Sequence, residues 1–357
     1  MIQRVAVVGA GTMGAGIAQL CAQSGFAVKV FDAVPAALAA FPARLKKSID
    51  GAVLRGKLTT MQGDRAYHSV STVERLEDLA GADLVIEAVS EDLALKQDLF
   101  ARLSKACPDA LLATNTSSLP VARIMEKAEG PERTMGLHFF NPPVAMKLVE
   151  MVRTDATSPE CFRHAWDFVL TGLRRTPVDV RDTPGFIVNR VMRPYYVTAQ
   201  KVVLETAGFA SVDAACRELG GVPMGPFELM DLIGLDVNFA ITTAIYEQLG
   251  RPARFTPPEL QRRLVENGMK GRKTGKGFYN YVDGKQNGEN PEAARLLKAS
   301  NKTNGIEAWN GIRTAIIEEA QRVVDEKTAT PGDVDVAVRL AMNFPKGPFE
   351  WRKESTA

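Results

Sequence analysis

The fold of this chain can be inferred from residues 5–32, VAVVGAGTMGAGIAQLCAQSGFAVKVFD. It opens as a short β-rich apolar run, becomes helical at the glycine-rich sequence and stops at Ser24-Gly25. Residues 28–32 then predict a second strand that ends in an acid. The pattern therefore predicts a β-α-β unit with a glycine-rich turn between its first strand and its helix.

Gly9, Gly11 and Gly14 form a G-x-G-x-x-G motif directly after the strand and at the start of the helix. Gly9 would allow the tight turn, Gly11 would let the backbone approach a pyrophosphate, and Gly14 would let helix and strand pack closely. The free N–H groups at the helix start would face the phosphates. The turn therefore has the features of a dinucleotide site.

Asp32 ends the second predicted strand, about 20 residues after the motif. A carboxylate there can accept hydrogen bonds from both hydroxyls of an adenosine ribose and would repel a 2′-phosphate. We therefore expect NAD rather than NADP. A glycine-rich turn beside an acid can arise by chance, but strand, helix and acid in register make that the weaker alternative.

Strand and helix patterns alternate to about residue 115, and a β-rich region follows as far as the segment DTPGF, which begins at residue 182. The predicted helices span 35–56 and 93–106, and the predicted strands span 68–73, 83–89 and 110–115, before the β-rich segments MGLHFF, KLVEMV and TPVDV. Such alternation predicts a parallel, doubly wound sheet. We therefore expect an α/β Rossmann-type NAD-binding domain over residues 1–182.

Beyond residue 182 the chain reads as helical and contains an internal repeat. The segment SVDAACRELGGVPMGPFELM, 211–230, matches DVDVAVRLAMNFPKGPFEW, 333–351. Upstream, AQKVV at 199–203 resembles AQRVV at 320–324 with one residue of slippage. The repeat predicts two copies of one helical unit, the second one partial, that pack on one another.

These patterns predict an all-α C-terminal domain in three parts. A helical domain is expected at 183–282, and the partial repeat at 305–357. The stretch between them, 283–304, is rich in Gly, Asn and Lys and reads as a linker.

The composition is that of an ordinary globular protein. Of the 357 residues, 45% are hydrophobic and 24% charged, and 44 basic side chains balance 42 acidic ones, so no global charge favours nucleic acid or membrane. The four cysteines form no C-x-x-C pair, and no apolar run approaches about 18 residues. We therefore expect a cytoplasmic protein without a metal site that contacts neither nucleic acid nor membrane.

Three histidines limit the choice of a catalytic base: His68, which is expected to start a strand, His138 and His164. Only His138, in GLHFFNPP, is next to an expected ligand face, and Glu150 follows twelve residues later. A neutral imidazole can take the proton of a secondary alcohol, while a buried carboxylate fixes its tautomer. From the residues alone, a satisfied core histidine and a solvated glutamate remain the commoner alternatives.

The segment Asn115-Thr116-Ser117-Ser118 follows a predicted strand at the carboxyl edge of the sheet. Open α/β folds bind ligands at that edge. The same residues would serve equally well as the N-cap of the next helix, so both readings stay open.

With these motifs in order, residues 3–282 resemble the L-3-hydroxyacyl-CoA dehydrogenase family. The resemblance is carried by VAVVGAGTMGAGIAQ, VIEAVSEDLALKQDLF, TNTSSL, GLHFFNPP, LVEMV, DTPGFIVNR, GVPMGPFELMDLIGLD and GRKTGKGFYNY. It implies NAD-dependent, reversible oxidation of an (S)-3-hydroxyacyl-CoA to a 3-oxoacyl-CoA in fatty-acid or related metabolism. It also implies that His138 is the base with Glu150 as its partner, and that Ser117 and Asn189 hold the substrate's oxygen atoms.

The resemblance further implies two sets of binding residues. Those expected at the cofactor are Gly9, Gly11, Thr12, Met13, Gly14, Asp32, Glu91, Lys96, Asn115, Ser117, Asn141 and Lys273. Those expected at the acyl-CoA substrate are Ser48, Arg55, Ser117, Asn141 and Asn189. Among them Arg55 depends on an alignment that can slide by one residue, and a solvated charged face is the alternative there.

Simple members of this family end near the GFYNY segment, and their helical domain pairs with its copy in a second subunit. The resemblance therefore implies that residues 305–357 mimic part of that partner, giving a monomer with an internal pseudo-dimer; a homodimer is the other expectation. Two other functions stay open. One is an NAD-dependent dehydrogenase of a free sugar acid or hydroxy acid, and the other is a silent NAD-binding protein on the same scaffold.

Overall fold

The computed structural model describes residues 2–206, 208–296 and 305–355. The chain divides into two compact units, Met1–Thr183 and Pro184–Ala357. The first unit is built around a sheet with helices, and the second is mainly helical. The expected fold class, a Rossmann-type sheet followed by a helical region, is confirmed.

An eight-stranded sheet forms the centre of the first unit, in the order β3-β2-β1-β4-β5-β6-β7-β8. Its strands are β1 Arg4–Val8, β2 Ala27–Phe31, β3 Val70–Thr72, β4 Leu84–Glu87, β5 Leu111–Thr114, β6 Thr134–Phe139, β7 Leu148–Arg153 and β8 Thr176–Arg181. Because β1 lies between β2 and β4, the strand order reverses there, and ligands of open α/β sheets bind at such a point.

The helices of the first unit connect these strands. They are α1 Thr12–Gln23, α2 Pro35–Leu54, α3 Thr60–His68, α4 Leu93–Ala106, α5 Val121–Ile124 and α6 Pro159–Asp167. The apolar strand runs supply the core, since Val7, Ile86 and Leu137 are fully buried. Local caps set some boundaries: the carboxylate of Asp92 accepts the backbone N–H of Leu95 at 2.8 Å and so begins α4.

Two features of the first unit differ from the sequence expectation. The sheet is parallel except for the pair β6–β7, which is antiparallel, because the short connection of residues 140–147 leaves no room for a crossover helix. The helix α3 was not predicted. It begins with a capping box at Thr59 and Gln62, and His68 ends this helix instead of starting a strand.

The second unit contains ten α-helices and a β-hairpin among its described residues. The helices are α7 Val188–Val191, α8 Arg193–Thr206, α9 Phe209–Gly220, α10 Pro226–Ile233, α11 Leu235–Gln248, α12 Glu259–Glu266, α13 Pro291–Ala294, α14 Gly305–Asp325, α15 Pro331–Met342 and α16 Pro348–Ser355. The hairpin strands are β9 Tyr279–Val282 and β10 Lys285–Glu289.

The internal repeat is visible in the helix boundaries. The pair α9 and α10 recurs as α15 and α16, with all four boundaries shifted by the same 122 residues. The turn after each first helix is left-handed, at Gly221 with φ 64° and at Asn343 with φ 52°. The helix α14 packs against α8 and α9, so the second copy lies on the first.

The segment expected as a linker, 283–304, is ordered over much of its length. Residues 285–289 form β10, and the buried Asn290 caps the short α13. The carboxylate of Glu289 accepts the backbone N–H of Ala210 at 2.6 Å, which ties this stretch to α9. Only residues 297–304 of the expected linker lie outside the described residues.

Among the described helices, no single one is long and apolar enough to cross a membrane. The consecutive helices α10 and α11 meet the length and composition requirement only together, and they meet at a bend of 100°.

Candidate active site

The glycine turn after β1 has the shape that a pyrophosphate needs. Gly9 has φ +111°, and a Cβ there would lie 2.5 Å from the carbonyl oxygen of Ala88. A Cβ on Gly14 would lie 1.8 Å from the carbonyl oxygen of Gly9, so only glycine lets α1 start this close to the turn. At Gly11, by contrast, no described atom lies within 4 Å of an added Cβ, which leaves open space beside the start of α1.

Asp32 is fixed beside this turn by backbone donors. Its Oδ2 accepts the N–H of Ala10 at 2.7 Å, and its Oδ1 accepts the N–H of Val34 at 2.8 Å. The guanidinium of Arg44 donates to the carbonyl oxygen of Ala10 at 2.6 Å and holds the same turn from α2. Each carboxylate oxygen keeps a second lone pair with which it can accept a ribose hydroxyl. These residues fit a dinucleotide whose adenosine ribose is unphosphorylated.

His138 and Glu150 are direct cross-strand partners in the antiparallel pair β6–β7. The imidazole Nδ1 lies 2.7 Å from Glu150 Oε2. Glu150 is fully buried and His138 is 6% exposed, so water screens this pair little. His138 is the last residue but one of β6, which places it at the carboxyl edge of the sheet with the glycine turn. The pair can accept and stabilise a proton at that edge.

Glu91 accepts hydrogen bonds from the polar residues that follow β5. Its Oε1 accepts the Thr116 hydroxyl at 2.6 Å and the backbone N–H groups of Ser117 and Ser118 at 3.0 and 3.1 Å. The ammonium of Lys96 lies 3.2 Å from its Oε2. Burial acts to raise the pKa of Glu91, but Lys96 and these hydrogen bonds outweigh it, so the pKa is lowered. Glu91 is therefore a carboxylate that fixes the loop containing Ser117.

Glu87 is a buried acid that the sequence analysis missed. It lies at the end of β4, fully buried, and accepts hydrogen bonds from Lys96 Nζ at 2.7 Å, Thr114 Oγ1 at 2.6 Å and the N–H of Val89 at 2.6 Å. Lys96 is itself only 1% exposed, so Glu87 fixes the ammonium that also contacts Glu91. The sequence signal that could have identified Glu87 is an acidic residue inside the apolar strand VIEAV.

Asn115 and Asn141 lie at the ends of neighbouring strands. The side-chain oxygen of Asn115 accepts the backbone N–H of Phe139 at 2.8 Å and so joins the ends of β5 and β6. Asn141 is exposed just beyond β6. Both lie at the carboxyl edge of the sheet, with the glycine turn and His138.

The residues expected to contact coenzyme A lie on α2 and at its C-terminal end. Ser48 is exposed and donates to the side-chain oxygen of Gln19 at 2.7 Å, which links α2 to α1. Arg55 is exposed at the C-cap of α2. Both can therefore be reached by a ligand outside the sheet.

Two of the expected site residues belong to the second unit. Asn189 lies in α7, and its backbone carbonyl accepts the Nε of Arg193 at 2.7 Å. Lys273 lies in a short turn at 272–274 and its ammonium is 2.5 Å from Asp236 Oδ1. Each is thus held by its own unit.

Family models cover nearly the whole chain. The model described as "3-hydroxyacyl-CoA dehydrogenase, NAD binding domain" matches residues 4–183. The model described as "3-hydroxyacyl-CoA dehydrogenase, C-terminal domain" matches residues 185–281 and 308–356.

Individual relatives give the same result. The chain is 35% identical to the 3-hydroxyadipyl-CoA dehydrogenase of Escherichia coli K12, over 98% of this chain and 90% of that protein. It is 42% identical to a 3-hydroxybutyryl-CoA dehydrogenase of Mycobacterium tuberculosis H37Rv, over 78% of this chain and 99% of that protein. A crystal structure of 3-hydroxybutyryl-CoA dehydrogenase from Escherichia coli K12 superposes with a TM-score of 0.88 at 34% identity, over 99% of this chain and 92% of that one.

Proposed function

The chain belongs to the 3-hydroxyacyl-CoA dehydrogenase family and is an NAD-dependent oxidoreductase of that kind, and we propose that it oxidises (S)-3-hydroxyacyl-CoA thioesters reversibly through the pair His138–Glu150. The observation that carries this proposal is the 2.7 Å contact between the imidazole and a fully buried carboxylate at the carboxyl edge of the sheet. The pathway that supplies the thioester would be fatty-acid or related acyl-CoA metabolism.

In this proposal His138 is the general base. With its Nδ1–H donated to Glu150, the ring presents the Nε2 lone pair, which takes the proton of the 3-hydroxyl group. Glu150 stabilises the imidazolium that results, because both groups are buried and closely paired. Bound NAD⁺ supplies the hydride acceptor, and the C3–O bond becomes a carbonyl. In the reverse direction the imidazolium returns the proton.

Ser117 and Asn189 would hold the oxygen atoms of the substrate. Ser117 is suited to this because its backbone is fixed by Glu91, so its hydroxyl starts from a defined position. For the coenzyme A moiety we propose Ser48 and Arg55, with Asn141 contributing to both ligands. Arg55 supplies a permanent positive charge for a phosphate.

The cofactor contacts that we propose are of two kinds. The glycine turn and Asp32 would bind the pyrophosphate and the adenosine ribose. Nearer the reacting carbon, the proposed contacts are Glu91, Lys96, Asn115, Ser117, Asn141 and Lys273.

The test compares wild type with the variants His138→Gln and Glu150→Gln, following NADH absorbance with acetoacetyl-CoA and with free acetoacetate. We expect oxidation of NADH with the thioester only, and a loss in kcat of about a hundredfold or more in each variant, because general-base catalysis contributes about 10²–10⁴-fold. The exposed His164→Gln in α6 is the matched control and should keep wild-type kcat.

Wild-type turnover of the free acid but not of the thioester would favour the free-acid dehydrogenase instead. Full activity in His138→Gln would exclude His138 as the base. Tight NADH binding with no turnover of any substrate would indicate a silent scaffold.

We also propose that the chain is a monomer in which the second helical copy replaces part of a partner subunit. The support is the packing of α14 on α8 and α9, and the contact of Tyr195 in α8 with Phe344 at a ring-centroid distance of 5.5 Å. Sedimentation equilibrium should give the mass of one chain, 38.8 kDa, at all concentrations. A stable dimer formed through residues 183–282 would contradict the proposal.

A further inference from the structure

The segment that contains Asn189 also contains a fully buried arginine. Arg190 follows Asn189 in α7 and has no exposed side-chain surface. A buried guanidinium is costly unless carboxylates or carbonyls satisfy its donors. The partners of Arg190 therefore determine whether α7 is stable where it lies.

Those partners come from the second helical copy. The Nε of Arg190 donates to Glu319 Oε1 at 2.8 Å, and its two terminal nitrogens donate to the two oxygens of Glu326 at 2.6 and 2.7 Å. Glu319 lies in α14, is fully buried and also accepts the Nε of Arg254 at 2.6 Å. Burial acts to lower the pKa of Arg190, yet the two glutamates outweigh it, so the pKa is raised and the arginine stays charged.

The same arginine stabilises an unusual stretch of backbone. Gly185 has φ +79° and Phe186 has φ +51°, so a bulky residue takes a left-handed conformation that costs energy unless its surroundings hold it. The backbone N–H of Arg190 donates to the carbonyl oxygen of Gly185 at 3.1 Å and closes this turn. Arg193 Nε then donates to the carbonyl oxygen of Asn189, so residues 185–193 form one connected unit.

We propose that Glu319 and Glu326 are positioning residues, through which the second helical copy holds Asn189 in place by way of Arg190. The proposal rests on the proposed role of Asn189 in substrate binding. It gives the second copy an indirect role in catalysis, because a side chain that binds the substrate's oxygen must be held in a defined position beside the reacting carbon.

The main test is Glu326→Gln, because Glu326 is half exposed and Glu319 remains to balance the buried charge. The matched control is Glu318→Gln, an exposed glutamate of α14 that lies 3.9 Å from Arg322. We expect Glu326→Gln to lower kcat/KM for acetoacetyl-CoA by about tenfold, while the Kd for NADH changes less than twofold, since NADH binding rests mainly on the first unit. Glu326→Asp should recover part of the loss, and Glu318→Gln should match wild type.

Hydrogen–deuterium exchange gives a readout that does not depend on turnover. Amides of residues 185–193 should exchange faster in Glu326→Gln than in Glu318→Gln, while the strands of the first unit remain protected. If residues 185–193 exchanged faster in Glu326→Gln while the wild type turned over no thioester, the role of Glu326 in holding this segment would be supported and the proposed function would be wrong. Unchanged exchange, or a lower melting temperature with unchanged kcat/KM, would overturn the positioning role.

Discussion

The two copies of the helical unit share one hydrogen-bonding arrangement but differ in what covers it. In the first copy Asp213 accepts the backbone N–H groups of Phe227 and Glu228 at 2.9 and 3.1 Å. In the second copy, 122 residues later, Asp335 accepts the N–H of Phe349 at 2.8 Å. Each aspartate thus satisfies the free donors at the start of a helix, α10 or α16.

The cover over the first arrangement comes from the segment GKGFYNY. Tyr279 donates its hydroxyl to Asp213 Oδ2 at 2.6 Å. Phe278 packs against both Phe209 and Phe227, with ring centroids 5.0 and 4.7 Å away. Asp231 binds the backbone of this segment by accepting the N–H groups of Phe278 and Tyr279. In the first copy, Asp213 and Phe227 are therefore covered by this segment.

The second arrangement lies beside a cavity of about 430 Å³ lined by Asp335 and Phe349. Both residues are partly exposed, whereas Asp213 and Phe227 are fully buried. Lys353 stands where the first copy has Asp231, so the acceptor for a covering segment is missing. The repeated sequence thus sets the local hydrogen bonds, while burial depends on a segment outside the repeat.

The two copies should differ most in how they tolerate a Cβ added to the glycine before each helix. On Gly225 it would lie 2.4 Å from the Cα of Asp213, and on Gly347 2.4 Å from the Cα of Asp335. We expect Gly225→Ala to lower the free energy of unfolding by about 3 kcal/mol or more, because the covered copy cannot relax. Gly347→Ala should cost about 1–2 kcal/mol, because α16 can move beside the cavity. Urea unfolding measures both.

The matched control is Gly311→Ala within α14, where no described atom outside the neighbouring backbone of the helix lies within 4 Å of the added Cβ. It should be neutral or stabilising by about 0.5–1 kcal/mol, since alanine favours helix over glycine. Equal losses for Gly225→Ala and Gly347→Ala would mean that the cover contributes nothing to rigidity.

The sequence predicts those structural features that depend on neighbouring residues or on the similarity between the two copies of the repeat. The strand, glycine turn, helix and acid at residues 5–32 are local, so their order predicts the structure well. The repeat is recognisable in the sequence because the spacing between the copies is constant from residue 211 to residue 229. The contact of His138 with Glu150 required only that two nearby strands pair, although their antiparallel direction was missed.

What the sequence did not reveal depends on how the helices and strands pack against one another. Nothing local marks Glu319 as the partner of Arg190, 129 residues away, because a glutamate on a helix is usually solvated. The burial of Glu87 follows from its place in a central strand, and its bond to Lys96 needs the fold of α4. Such pairs arise only after the elements pack.

A smaller difference between the two copies should appear in the pH dependence of stability. Burial raises the pKa of Asp213 to about 7, against hydrogen bonds from Tyr279 and Phe227 that lower it. An aspartate in an unfolded chain titrates near about 3.9. Between these values the native state keeps a proton that the unfolded state has lost, so this group's contribution to stability falls as pH rises from about 4 to about 7.

The expected result is that wild type loses up to about 2 kcal/mol more stability than Asp213→Asn between pH 5 and pH 7, measured by urea unfolding. Asp231, whose pKa burial raises to about 6, adds the same slope to both proteins and cancels in the difference. Asp335→Asn is the matched variant in the open copy: burial raises the pKa of Asp335 as well, but its partial exposure should make the difference from wild type smaller. If Asp335→Asn removed as much of the pH slope as Asp213→Asn, the covering segment would contribute nothing to the raised pKa of Asp213.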